Sequence, residues 1–135
     1  MNYKLAASLV LIFSPASAAP VMPGDLPAVS VTAEMETVIE TSVRTRLKDP
    51  ESAQISHVGA YQDQSGQFVW ICGLVNARNS FGGYVGNVPF AATGSRGKDG
   101  NFHTSIPVLF QSPDAWRLPL WLDTVPVCKY LAPYL

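Results

Sequence analysis

The sequence predicts an α+β protein in which an N-terminal helix packs on a four-strand antiparallel meander and a disulfide ties an irregular C-terminal segment to the sheet. Three observations predict it. Apolar residues recur at three- and four-residue steps from Val31 to Leu47, and β-type runs separated by turn residues fill Gln54 to Phe110. The only two cysteines, Cys72 and Cys128, place one thiol in a central strand and the other near the C-terminus.

The helix is expected to start at Ser30 or Thr32, either of which can cap it, and to stop at about Lys48 because Pro50 disfavours helical geometry at Asp49. Val31, Met35, Val38, Ile39, Val43 and Leu47 align on one face. Glu34, Glu36 and Glu40 precede Arg44, Arg46 and Lys48, an order that suits the helix macrodipole. Asp49 is then expected to cap a single turn, "PESA", with Pro50 at its first position.

"QISHVGAY" and "QFVWICGLVNA" read as strands joined by the hairpin "QDQSG". "GGYVGNVPFAAT" and "NFHTSIPVLF" read as two more, joined by "GSRGKDG", whose Asp99-Gly100 pair supplies left-handed turn geometry. The strand around Cys72 is apolar on both faces, with Phe68, Trp70, Cys72 and Leu74 on one and Val69, Ile71 and Val75 on the other, so it needs two covers. The helix supplies one. The segment "AWRLPLWLDTVPVCKYLAPYL" is expected to supply the second, with Trp116 and Trp121 as core cover, and Pro119 and Pro126 keep it from being a regular strand.

Residues 1–18 read as a secretory signal: Lys4, an apolar run from Leu5 to Phe13, and small residues with Ala16 and Ala18 placed for cleavage after Ala18. Cleavage after Ala19 fits almost as well. Residues 19–29, rich in Pro and Gly, read as an extended leader, and 30–135 as a single domain. The expected setting is periplasmic, with extracellular release as the alternative, and without a transmembrane or lipid anchor. There, pairing of Cys72 with Cys128 is favoured. The alternative, a nucleophilic Cys72, needs an exposed and activated thiol, whereas its flanks "FVWI" and "GLV" predict burial.

Formal charge is balanced, at 9 basic against 10 acidic residues, and no basic face is concentrated enough for nucleic acid. His57 and His103 lack further ligands at metal-site spacing, and no nucleophile-elbow pattern is present. No cofactor, metal or catalytic residue is therefore assigned. The candidate binding residues are Asn76, Arg78, Asn79 and Tyr84 in "NARNSFGGY", with Arg96 and Lys98 in the second hairpin. Gly82-Gly83 permits a tight turn there, Asn76 and Asn79 can satisfy its backbone, and Gly86 reads as a gap in the next strand that Trp70 or Tyr84 would fill.

"LKDPESA" followed by "CGLVNARNSFGGYVGNVPF" resembles a family of small, mostly uncharacterised bacterial exported proteins and lipoproteins with the pattern LKDPxSA, then CGxVNxKNxxGGYxGxxxF. The matching positions are Leu47, Lys48, Asp49, Pro50, Ser52 and Ala53, then Cys72, Gly73, Val75, Asn76, Asn79, Gly82, Gly83, Tyr84, Gly86 and Phe90, with Arg78 standing in for the family's Lys. The resemblance spans residues 43–90 and implies a shared fold and an exported setting rather than a reaction. The expected function is a binding module of inhibitor or immunity type that occludes another cell-envelope protein, acting as a monomer or weak dimer. The alternatives are a small hydrolase or ligand-binding enzyme using Asn76, Arg78 and Asn79, and an accessory subunit of an envelope complex.

Overall fold

The structure, a computed structural model, describes residues 26–110 and 126–134. The signal segment, most of the leader, Trp116, Pro119 and Trp121 lie outside the described residues. In chain order the elements are β1 (Ala28–Val29), α1 (Ala33–Arg44), a 3-10 turn (Pro50–Ser52), β2 (Gln54–Gln62), β3 (Val69–Asn76), β4 (Val88–Arg96), β5 (Phe102–Thr104), β6 (Val108–Leu109) and a C-terminal 3-10 helix (Pro126–Tyr134).

The sheet is antiparallel, in the order β1-β2-β3-β4-β5 with β6 also on β4. Among the described residues six strands replace the predicted four, for two local reasons. Ala28 and Val29, at the end of the expected leader, pair with Tyr61 and Ala60 at the free edge of β2. The last predicted strand is broken in two: Ser105 exchanges hydrogen bonds with Thr93 through its backbone N–H and its Oγ, and Pro107 follows before β6 resumes on Phe90 and Ala91. The third predicted strand also starts later, at Val88 rather than Gly82, because residues 77–87 form a loop.

Thr32 is the helix cap, its Oγ1 accepting from the Met35 N–H at 3.2 Å. The helix ends at Arg44, short of Lys48. Beyond it Arg46 N–H reaches Val43 C=O and Leu47 N–H reaches Arg44 C=O, three-residue spacings that tighten the chain before Pro50. Asp49 does not cap the following turn with its side chain; its carboxylate is turned toward Arg78 instead.

The two-sided strand is covered twice, as expected. Ile71 and Val75 of β3 pack with Met35, Ile39 and Val43 of α1 and with Phe90 and Phe102. On the opposite face Cys72, Leu74 and Ala91 pack with Val127, Cys128 and Leu131. The Cys72–Cys128 disulfide joins β3 to the C-terminal helix. Gly73 lets these layers close, since a Cβ there would lie 2.5 Å from the buried Phe90 ring.

A further clamp lies at the bulge in β2 between Ser56 and Gly59, where His57 has φ 52°. The Tyr130 hydroxyl donates into it, 2.7 Å from His57 C=O and 3.1 Å from Cys72 C=O, while the Tyr134 ring lies against the His57 ring, centroids 3.9 Å apart and planes tilted by 37°. Burial, reinforced by neighbouring Tyr61, pushes the Tyr130 hydroxyl pKa up and keeps the phenol protonated as donor; a backbone hydrogen bond from Gly59 acts in the opposite sense.

The β2–β3 turn is organised by Asp63. Desolvation raises its pKa, but hydrogen bonds from Ser65 Oγ, the Phe68 and Ser65 N–H groups and Gln62 outweigh that and hold it at about 2, below the ordinary 3.8. A carboxyl depressed on folding contributes stability above its unfolded pKa and loses it as pH falls through the folded one. We expect Asp63→Asn to flatten the fall of Tm between about pH 4 and pH 2; a variant profile parallel to wild type through that window contradicts this role.

Candidate functional site

The segment 77–87 forms a fixed loop. Arg78 and Tyr84 form a β-bridge, Asn79 N–H donates to Gly83 C=O at 2.8 Å, and Gly82 N–H donates to Asn79 C=O at 3.0 Å. The Asn79 Oδ1 accepts from the Phe81 and Gly83 N–H groups, and the Asn76 Oδ1 accepts from the Gly86 N–H at 3.1 Å. Both asparagines thus serve the turn. Gly86 is not a gap in a strand: it lies in the loop at φ 91°, with open space where a Cβ would point, so backbone geometry is what requires glycine.

This loop is bolted to the α1–β2 connection. Arg78 Nη2 lies 2.9 Å from Asp49 Oδ2, and the Arg78 N–H donates to Ser52 Oγ at 2.8 Å. The Tyr84 hydroxyl donates to Ser52 C=O at 3.3 Å, and Lys48 Nζ donates to Ser80 Oγ at 3.0 Å. Ser52, buried, receives two of these four contacts, from the Arg78 N–H and the Tyr84 hydroxyl. The segments "LKDPESA" and "NARNSFGGY", remote in sequence, are thereby one surface. The cation of Arg78, which has no role within its own turn, is accounted for by the carboxylate across the gap.

The structure does not bring all six candidate binding residues together. Asn76, Arg78, Asn79 and Tyr84 sit beyond the Asn76 end of β3, whereas Arg96 and Lys98 lie beyond the Val69 end, which pairs with Gly94. Eight residues of strand separate the two ends, roughly 25 Å. Arg96 is engaged there with Glu34 at 2.9 Å and with Gly100 C=O. The Glu34 carboxyl is held below its ordinary value by the Phe102 N–H first and by Arg96 second, so this cation secures the start of α1 to the second hairpin. Lys98 is exposed beside it.

Two features of the loop were not evident from sequence. Phe81 stands at its tip with 96% of its surface exposed, flanked by Tyr84 at 50% and Val85 at 58%. Behind the tip lies a cleft of about 490 Å3 between the α1–β2 connection and the loop. Leu47, Val75, Ala77, Val85, Val88 and Leu109 line it with apolar surface, and Arg46, Lys48 and Arg78 bring three cations to it. A sequence signal for Arg46 and Lys48 existed, but it pointed to the end of a longer helix.

Among the described residues no group of three His, Cys, Asp or Glu side chains converges as a metal site, and no helix is long and apolar enough to cross a membrane. Comparison of the chain with protein-family models, curated proteins and solved structures finds no match.

Proposed function

We propose that this is an exported binding module that works in the periplasm by occluding another envelope protein, with the Arg78–Tyr84 loop as its contact surface. The observation that carries the reading is Phe81, a large apolar side chain 96% exposed on a loop whose backbone is already hydrogen-bonded into one shape. Aromatic anchors dominate binding energy at interfaces, and a preorganised loop avoids the ordering cost that a flexible one meets on association. Tyr84 and Val85 extend the apolar patch around the anchor. Lys48 and Arg46 beside it favour a partner surface that is acidic around a pocket. The resemblance to small exported proteins and the disulfide fit that setting.

A photo-crosslinking residue at position 81 tests the reading in cells expressing the exported protein. We expect one discrete adduct, competed away by wild-type protein and not by Phe81→Ser, while the same probe at exposed Glu36 gives none. Absence of an adduct, or equal competition by Phe81→Ser, rejects the loop as the contact surface.

A further inference from the structure

Beyond protein occlusion, we propose that the cleft behind the loop binds a single-chain carboxylate, an alkyl chain headed by one carboxyl group. Its volume, about 490 Å3, falls within the range of small-molecule sites, about 300–1,000 Å3. Its floor is continuous with the helix-side core, because Leu47, Val88 and Leu109 line the cleft and also pack against the buried cluster that contains Ile39, Val75 and Phe90. Apolar surface of this kind gains from being covered by hydrocarbon.

The charge at the cleft is what selects the head group. Arg78 is engaged with Asp49, but Arg46 has no ion pair among the described residues and Lys48 donates only to the neutral Ser80 hydroxyl. The cleft therefore carries two uncompensated cations in a chain whose formal net charge is −1. A local field of that sign attracts an anion against the overall charge. One carboxylate has two oxygens, enough to meet the Arg46 guanidinium and the Lys48 ammonium together through charge-assisted hydrogen bonds. A small polar anion leaves the apolar floor wet, and a neutral amphiphile leaves both cations unmatched.

Decanoate, kept below its micellar range, is the probe, titrated calorimetrically into the disulfide-bonded chain lacking residues 1–18 at pH 7 and low salt. We expect saturable one-to-one binding of decanoate, none of acetate, and binding of decanol weaker by about tenfold or more. Arg46→Gln combined with Lys48→Gln is expected to weaken decanoate about tenfold with Tm lowered by no more than about 5 °C, both side chains being exposed and Lys48 losing only its hydrogen bond to Ser80. Val85→Asp, which puts a carboxylate at the exposed edge of the cleft, is expected to weaken it too. Phe81→Ser is expected to bind decanoate as wild type does, because Phe81 does not line the cleft, so loss of the crosslinked partner and loss of this ligand are separate results. The proposal is overturned by absence of saturable decanoate binding, by decanol binding equally well, by full affinity in the Arg46/Lys48 variant, or by loss of binding in Phe81→Ser.

Discussion

Replacing Cys72 and Cys128 together by alanine is expected to lower stability by about 4 kcal/mol, the chain-entropy value for a crosslink spanning 56 residues. In a chain of this size that corresponds to a fall in Tm of roughly 15–25 °C. Both sulfurs are fully buried, and the bond joins the central strand to the helix that covers its second face. Thermal unfolding followed by circular dichroism, with and without dithiothreitol, measures the effect: reduced wild type and the double variant should unfold together, far below the oxidised protein. A difference of only a few degrees would mean that packing and the Tyr130 clamp hold the C-terminal helix without the crosslink.

Leu131→Ala is expected to cost about 3 kcal/mol in the oxidised protein. Leu131 is completely buried from the C-terminal helix against Cys72, Leu74 and Ala91, and truncation leaves a cavity that the disulfide and the Tyr130 hydrogen bonds prevent from collapsing. Urea unfolding should show a lower midpoint with unchanged slope. A loss below about 1 kcal/mol would indicate that this helix leaves the sheet in solution and that the face beneath it is available to a partner.

These two sites lie where the sequence was most legible. A strand apolar on both faces demands two covers, and a second cysteine near the C-terminus names the second one; neither inference needs three-dimensional information. The helix register was equally plain, since Met35, Ile39 and Val43 follow a local period and all three are buried. What could not be read was set by neighbours. Ala28 and Val29 are a strand only because β2 offers an edge, and the chain from Phe102 to Leu109 breaks because Ser105 finds Thr93.

The site divides the same way. The roles of Asn79 and Gly82 follow from turn chemistry within a few residues, and the structure places them in such roles, whereas Asn76 closes the loop from ten residues away, on the Gly86 N–H. Arg78 finds Asp49 across 29 positions of sequence, a pairing no local pattern announces. Arg46 and Lys48 looked like the charged end of a helix; once α1 stops at Arg44 they belong to a connection that borders the cleft. Arg96 and Lys98 share the sign of Arg78 but occupy the far end of the sheet, a separation decided by strand pairing rather than by composition.

The double cover of β3 also shapes how this chain can vary. Ile71 and Val75 answer to the long helix, while Cys72 and Leu74 answer to the C-terminal one, so consecutive residues of one strand belong to different packing neighbourhoods. Changes on the same face share neighbours and should be strongly epistatic, whereas changes on opposite faces should combine nearly additively. The surface built from Asp49, Ser52 and the Phe81 loop continues from the Asn76 end of that strand, and Val75, which belongs to the helix-side layer, also lines the cleft behind the loop, so substitutions in the helix-side layer should reach that surface before those on the disulfide side do.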